Sequence, residues 1–168
     1  MEQTKNKFQY PTEEVTLPSK GLLYPKDSPL ANGKIEMKYM TAKEEDILTN
    51  QNYIENGTVI DKLLKSLIVT EFDYNELLIG DKNAILVAAR ILGYGSEYSF
   101  KYKGEEITID LTDIDDKFLD ESLIPDGVNK FNFTLPTSKR KITFKLLTHG
   151  DEISIAGEIK GLKKLNKK

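Results

Sequence analysis

The feature that most constrains this chain is a double change in the spacing of its apolar residues, from two to about 3.6 and back to two. From Lys34 to Met40, Ile35, Met37 and Tyr39 alternate with Lys34, Glu36 and Lys38, the pattern of a half-buried strand. The period changes at Thr41, which with Glu44 makes a capping-box pair and predicts a short helix to about Thr49. Beyond Gly57, the residues Val59, Ile60, Leu63, Leu64, Leu67 and Ile68 recur at helical spacing. Asp81 reads as the N-cap of a third helix ending near Gly93, with Ile85, Leu86, Ala88, Ala89 and Leu92 as its apolar content. After Gly95 the alternation returns in four runs: Tyr98 to Tyr102, Ile107 to Leu111, Phe131 to Leu135 and Ile142 to Leu146. A last helix follows Thr148, with Asp151 and Glu152 at its start and lysines at its end, in accord with the helix dipole.

These segments predict an α+β fold. It has an N-terminal extended arm and strand, a small three-helix bundle, a four-stranded antiparallel sheet and a C-terminal helix. Four regions follow: residues 1–40 as arm with hairpin and strand, 41–95 as helical part, 96–147 as antiparallel β part, and 148–168 as amphipathic helix with a basic tail. In the first region, residues 1–14 are polar and read as frayed. Pro18 and Gly21 impose a turn, Pro25 and Pro29 exclude helix, and Asn32-Gly33 is the dipeptide favoured in tight hairpins. A chain of 168 residues with 39% hydrophobic and 30% charged residues can bury one good core, or two small ones, and is not a disordered protein.

Several function classes are set aside by what the sequence lacks. With no cysteine there are no disulfides, thiolate nucleophiles or cysteine-ligated zinc, which favours a cytoplasmic origin. The first residues lack the apolar core of a signal peptide, and the apolar runs are too short for a membrane span. His149, the single histidine, stands in a Thr-His-Gly turn and reads as an exposed residue beside a helix start. A hydrolase or transferase built on it and the acidic loop is the weaker alternative. The acidic pairs Asp115-Asp116 and Asp120-Glu121 lack a regular calcium-loop pattern and read as solvated loop. Gly93-Tyr94-Gly95-Ser96 follows a helix, whereas phosphate loops follow a strand, so it reads as a helix stop. Arg90 on the third helix needs carboxylate or carbonyl partners and reads as part of a structural ion pair. Tyr98 and Tyr102 share a face with Phe100, which suits an aromatic surface or a core equally well. We therefore expect no enzyme, no catalytic residue, no metal and no cofactor.

The charge is −3 overall, yet Lys160, Lys163, Lys164, Lys167 and Lys168 crowd the last nine residues. They read as a solvated helix end, so nucleic-acid binding is not expected. A small adaptor binding RNA or another polyanion through this basic helix is the alternative function. Gly157 and Gly161 each weaken an isolated helix by about 1 kcal/mol, so this helix calls for a partner surface.

Short motifs stand in a defined order through most of the chain. They are Leu17-Pro18-Ser19-Lys20-Gly21 with Tyr24, Met40-Thr41-Ala42-Lys43-Glu44-Glu45, and Ile60-Asp61-Lys62-Leu63-Leu64-Lys65-Ser66. Further on come Asp81-Lys82-Asn83-Ala84 with Arg90, Tyr94-Gly95 and Tyr98, then Leu135-Pro136, then Leu146-Leu147-Thr148 before Gly150-Asp151-Glu152. In this order and spacing the chain resembles the T4-type bacteriophage baseplate hub and tail-assembly family. One departure is that relatives are expected to carry a Cys-x-x-Cys pair where this chain has Lys101-Tyr102-Lys103-Gly104-Glu105, so their zinc does not transfer.

The resemblance implies a structural or assembly protein of a contractile phage tail, acting at the baseplate hub as component or assembly factor. Its partners would be other tail proteins, namely hub, tape-measure or tube proteins, in a homo- or hetero-oligomer. Its place would be the host cytoplasm during assembly, or the tail baseplate of the virion. No membrane role is expected. Extended arms and amphipathic helices bind by strand addition, draping and groove insertion. The expected partner-binding residues are therefore Leu17, Pro18, Lys20, Gly21 and Tyr24 in the arm and Ile155, Ile159 and Leu162 on the last helix.

Overall fold

The alternation around Ile35 does form a strand, and a second strand ahead of it supplies its hydrogen-bond partner. In the computed structural model, which describes residues 11–114, 120–124 and 127–165, β1 (Thr12–Thr16) pairs antiparallel with β2 (Lys34–Lys38). Val15 faces Ile35 and Glu13 faces Met37 in the register, and the Ile35 and Met37 side chains are buried. Residues 12–14 are thus part of a strand rather than frayed, because the backbone of β2 pairs with them whatever their polarity. Residues 1–10 lie outside the described residues.

The extended arm expected within residues 1–40 is, over 17–33, folded into the body as the long connection of this hairpin. Asn32-Gly33 is not a two-residue hairpin turn. Asn32 ends a 3-10 turn over Pro29–Asn32, and Gly33 closes it in the left-handed conformation, with φ of 72°. Leu17 donates to the Gly33 carbonyl at 2.8 Å, so the loop closes directly on the end of the ladder.

Helix α1 (Ala42–Thr49) starts at the expected box, a short α2 (Gln51–Glu55) follows, and α3 (Val59–Leu67) buries Leu63, Leu64 and Leu67. Helix α3 packs against both α1 and α4 (Ile79–Tyr94). The core is one cluster drawn from both sides of residue 40, with Leu17, Leu30, Ile35 and Met37 against Leu64, Leu67, Leu77 and Ile85.

Helix α4 begins two residues before Asp81, with Leu78 at its cap. The reason lies at the other end of the chain. Leu78 bridges Thr148, Ile79 donates to the Leu147 carbonyl at 3.0 Å, and His149 donates to the Leu77 carbonyl at 2.8 Å. Backbone from residues 147–149 thus helps to fix the start of α4, and Asp81 is free for another use.

The predicted four-stranded sheet is not formed. β3 (Glu97–Tyr102) pairs with β4 (Glu105–Asp110), and β5 (Phe131–Thr134) with β6 (Lys141–Phe144), as two separate antiparallel hairpins. Alternation specifies which face a side chain takes but not which strand edges meet. The connection between β4 and β5 is tied to the arm loop instead: Gly127 donates to the Leu22 carbonyl at 2.8 Å, and Lys20 pairs with Glu121 at 2.7 Å. Helix α5 (His149–Leu165) ends the described chain. Among the described residues no helix is long and apolar enough to cross a membrane.

Candidate functional site

The loop Leu17–Tyr24 is held from within by one carboxylate. Asp81 accepts from the Ser19 amide at 3.0 Å, from the Ser19 hydroxyl at 2.7 Å and from the Tyr24 hydroxyl at 2.6 Å. Tyr24 in turn accepts from the Leu78 amide at 3.0 Å, which links the loop to the start of α4. Burial, then the negative charge of Asp81, pushes the Tyr24 hydroxyl far above its ordinary pKa, so it stays a donor. Leu17, Gly21 and Tyr24 are buried, Pro18 is half-buried and Lys20 is exposed. Of the arm residues expected to touch partners, Lys20 alone stands fully at the surface, in an exposed pair with Glu121.

Glu44 plays the same part between β2, α1 and α3. It closes the capping box on the Thr41 amide at 3.0 Å, and it also accepts from Lys38 at 2.8 Å and Ser66 at 2.6 Å. Burial would raise its pKa, but these bonds outweigh that effect and hold it down to about 2.

His149 is the third such point, and it is not the exposed turn residue that its Thr-His-Gly setting suggests. It is 2% exposed and lies edge-on to Tyr74, with ring centroids 4.7 Å apart. Lys82 sits 3.1 Å from its Nδ1, 3.0 Å from Asp61 and 3.0 Å from Glu152. An ammonium only donates, so Nδ1 accepts and the ring hydrogen is on Nε2, which faces Asp61 at 3.7 Å. Burial alone would lower the Lys82 pKa, but Glu152 and Asp61 outweigh it and keep the group charged. Burial and the charge of Asp61 push the Tyr74 hydroxyl up.

Among the described residues no set of three or more His, Asp or Glu side chains is arranged to hold a metal. A cleft bordering Tyr74, lined also by Lys65, Ile68 and Phe72, encloses about 200 Å³, below the roughly 300–1,000 Å³ of ligand sites. The pair Asp115-Asp116 lies outside the described residues.

These three points join the motifs read from the sequence to one another. Ser19 and Tyr24 of the first motif bind Asp81, Glu44 of the second binds Ser66 of the third, and Asp61 meets Lys82 and His149. Spacing alone showed none of these partnerships, because each joins residues from 21 to 88 positions apart only after folding. The one usable signal was a polar residue set among apolar ones, as at Asp81 and Lys82.

Open apolar surface lies elsewhere. Helix α5 is anchored by its first turn, where Thr148 and Asp151 cap each other and Lys145 holds Asp151, its pKa down to about 2. From residue 152 to 164 it is exposed, including the expected Ile155, Ile159 and Leu162. In the hairpins, Tyr98, Phe100, Tyr102 and Ile109 are exposed on one face of β3–β4, and Phe133, Ile142 and Phe144 on β5–β6. Arg90 borders the first of these faces. Its guanidinium donates to the carbonyls of Gly95 at 2.9 Å and Glu97 at 3.3 Å and lies over the Tyr94 and Tyr98 rings, so carbonyls and rings take the part assigned to an ion pair.

Comparison with protein-family models, with curated proteins and with solved structures finds no match to this chain.

Proposed function

We propose that this chain is a structural or assembly protein of a contractile phage tail, working at the baseplate hub as component or assembly factor through protein–protein contacts. The observation that carries this reading is the contrast between its two halves. Residues 17–89 bury a packed core, and no buried side-chain nitrogen or oxygen among the described residues lacks a partner. Residues 97–165 present aromatic and aliphatic faces to solvent on two hairpins and a helix. An isolated two-stranded hairpin is marginal in water, and apolar faces of this kind mark contact with another protein.

The ordered motif string also supports this reading, in a particular way. Ser19, Tyr24, Glu44, Asp61, Ser66, Asp81 and Lys82 of that string bind one another inside the molecule, which makes them a signature of the fold, and the working surface falls on α5 and the hairpins. Partners would be the hub, tape-measure or tube proteins of the same phage. The test is co-expression of the full chain with each tail protein in turn, followed by size-exclusion chromatography. A defined complex with one of them is expected. Failure with all of them would remove the reading, and mass spectrometry of finished virions then separates component from assembly factor.

A further inference from the structure

Helix α5 leaves an apolar stripe in water, and the charges beside that stripe suit the helix to its own copy. Ile155, Ile159 and Leu162 recur at i, i+4 and i+7 and are all exposed. In the seven-residue register abcdefg of paired helices, Ile159 stands at a, with Ile155 and Leu162 at d. Glu158 is then at g and Lys163 at e, one on each flank of the stripe. Lys160 and Lys164 fall at b and f on the far side, and Gly157 and Gly161 at f and c, so no glycine opens a gap in the stripe. Towards the helix start, Glu152 holds the preceding a position and is matched within its own chain by Lys82 at 3.0 Å, as Asp151 is by Lys145 at 2.8 Å. With Thr148 and Asp151 capping that first turn, the exposed part extends from a helix already nucleated.

We propose that this stripe is a seam for a second copy of the chain, the two α5 helices lying parallel and in register. In a parallel pair, a g residue meets the e residue five positions further along the other helix. Glu158 of each copy then faces Lys163 of the other, giving two ion pairs across the Ile159 and Leu162 layers, while Asp151 meets Ala156 and opposes no like charge. Antiparallel pairing about Ile159 brings g against g and e against e, which sets Glu158 beside Glu158 and Lys163 beside Lys163. Ile159 at a followed by Leu162 at d is the apolar order that favours two strands. A foreign helix flanked by a single sign of charge gains on one side of this stripe what it loses on the other. The inference goes beyond the assembly reading and needs only this chain.

The test is sedimentation equilibrium of the full chain over a concentration series up to about 1 mM, the weak end of specific association. A mass rising from 19.1 kDa towards twice that value is expected. Glu158→Lys and Lys163→Glu each turn both ion pairs into repulsions, and each should weaken dimerisation at least about tenfold. The double variant carrying both changes restores opposite charges across a parallel seam and should recover native dimerisation. Ile159→Ser should abolish it. All three positions are exposed, so the variants keep the core intact and should melt as the native chain does at monomer concentrations. A chain that stays at monomer mass throughout would overturn the proposal and leave the stripe to a different protein. So would single charge reversals that leave the dimer unchanged, or a double variant that dimerises no better than they do, since an antiparallel pair or contact through another surface gives those results. Complexes with tail proteins separate the two readings. Dimerisation without any tail-protein complex removes the assembly role and keeps this seam, whereas a tail-protein complex formed by a chain that never dimerises does the reverse.

Discussion

Tyr24 donates its hydroxyl hydrogen to Asp81 at 2.6 Å and accepts the Leu78 amide hydrogen at 3.0 Å, so one side chain closes the arm loop onto the start of α4. All of these groups are buried. Hydrogen bonds in such a place are modest when made and costly when one partner is removed. Asp81→Ala strands the Ser19 amide, the Ser19 hydroxyl and the Tyr24 hydroxyl together, and should lower stability by about 3–5 kcal/mol. Tyr24→Phe strands the Leu78 amide and should cost about 1–3 kcal/mol. Urea unfolding of the two variants measures both. Equal, small losses would show that the network is peripheral to folding.

Gly21 tests the same loop through its backbone. Its φ is 79°, and a Cβ there would lie 2.7 Å from the Gly33 nitrogen and against the Ala31 carbonyl. The left-handed conformation alone costs an L-residue about 1–2 kcal/mol, and the collision adds to it. Gly21→Ala should therefore lose more than about 2 kcal/mol. Gly57→Ala is the control, since its φ is also positive, 67°, but no atom stands within 4 Å of the added carbon. Thermal melts should separate the two clearly.

Glu44 fixes an acid limb of stability. Its folded pKa lies near 2, below the ordinary carboxylate value, because bonds from Lys38, Ser66 and Thr41 outweigh the opposing effect of burial. A group depressed in this way contributes fully above its unfolded pKa, and the contribution is lost as pH falls from about 4.5 towards 2. Stability measured from pH 6 to pH 2 should decline through that window. Glu44→Gln should start lower at pH 6 and decline less steeply. A parallel pair of curves would remove Glu44 as the cause.

His149 is placed to anchor α5. Its ring packs on Tyr74, its Nδ1 accepts from Lys82, and its amide binds the Leu77 carbonyl. His149→Ala should speed amide exchange in residues 147–152, with a local loss of about 2 kcal/mol, while α3 stays protected. Exchange measured by mass spectrometry would show it. Uniform loss of protection across α3 and α4 would instead make His149 part of the core proper.

Much of the fold was legible in the residues. The alternation at Ile35 and Met37, the Thr41 and Glu44 box, and the stripe of α3 depend on neighbours within a few positions, which is where sequence periodicity acts, whereas Tyr39 lies past the end of β2 and is exposed. The runs around Phe100, Ile109, Phe133 and Phe144 likewise predicted strands. What alternation could not supply was the pairing of strand edges, so two hairpins stand where one sheet was expected.

By itself, then, the sequence determined the order and type of these elements, the absence of thiol chemistry and the amphipathic, basic last helix. Tertiary structure alone decided that Asp81 is a latch within α4 rather than its cap, that His149 is buried, and that Leu17, Leu23 and Tyr24 of the arm belong to the core while Lys20 stays at the surface. Each of those outcomes depends on removing a polar group from water beside a partner distant in the chain, and that partner exists only once the chain has folded.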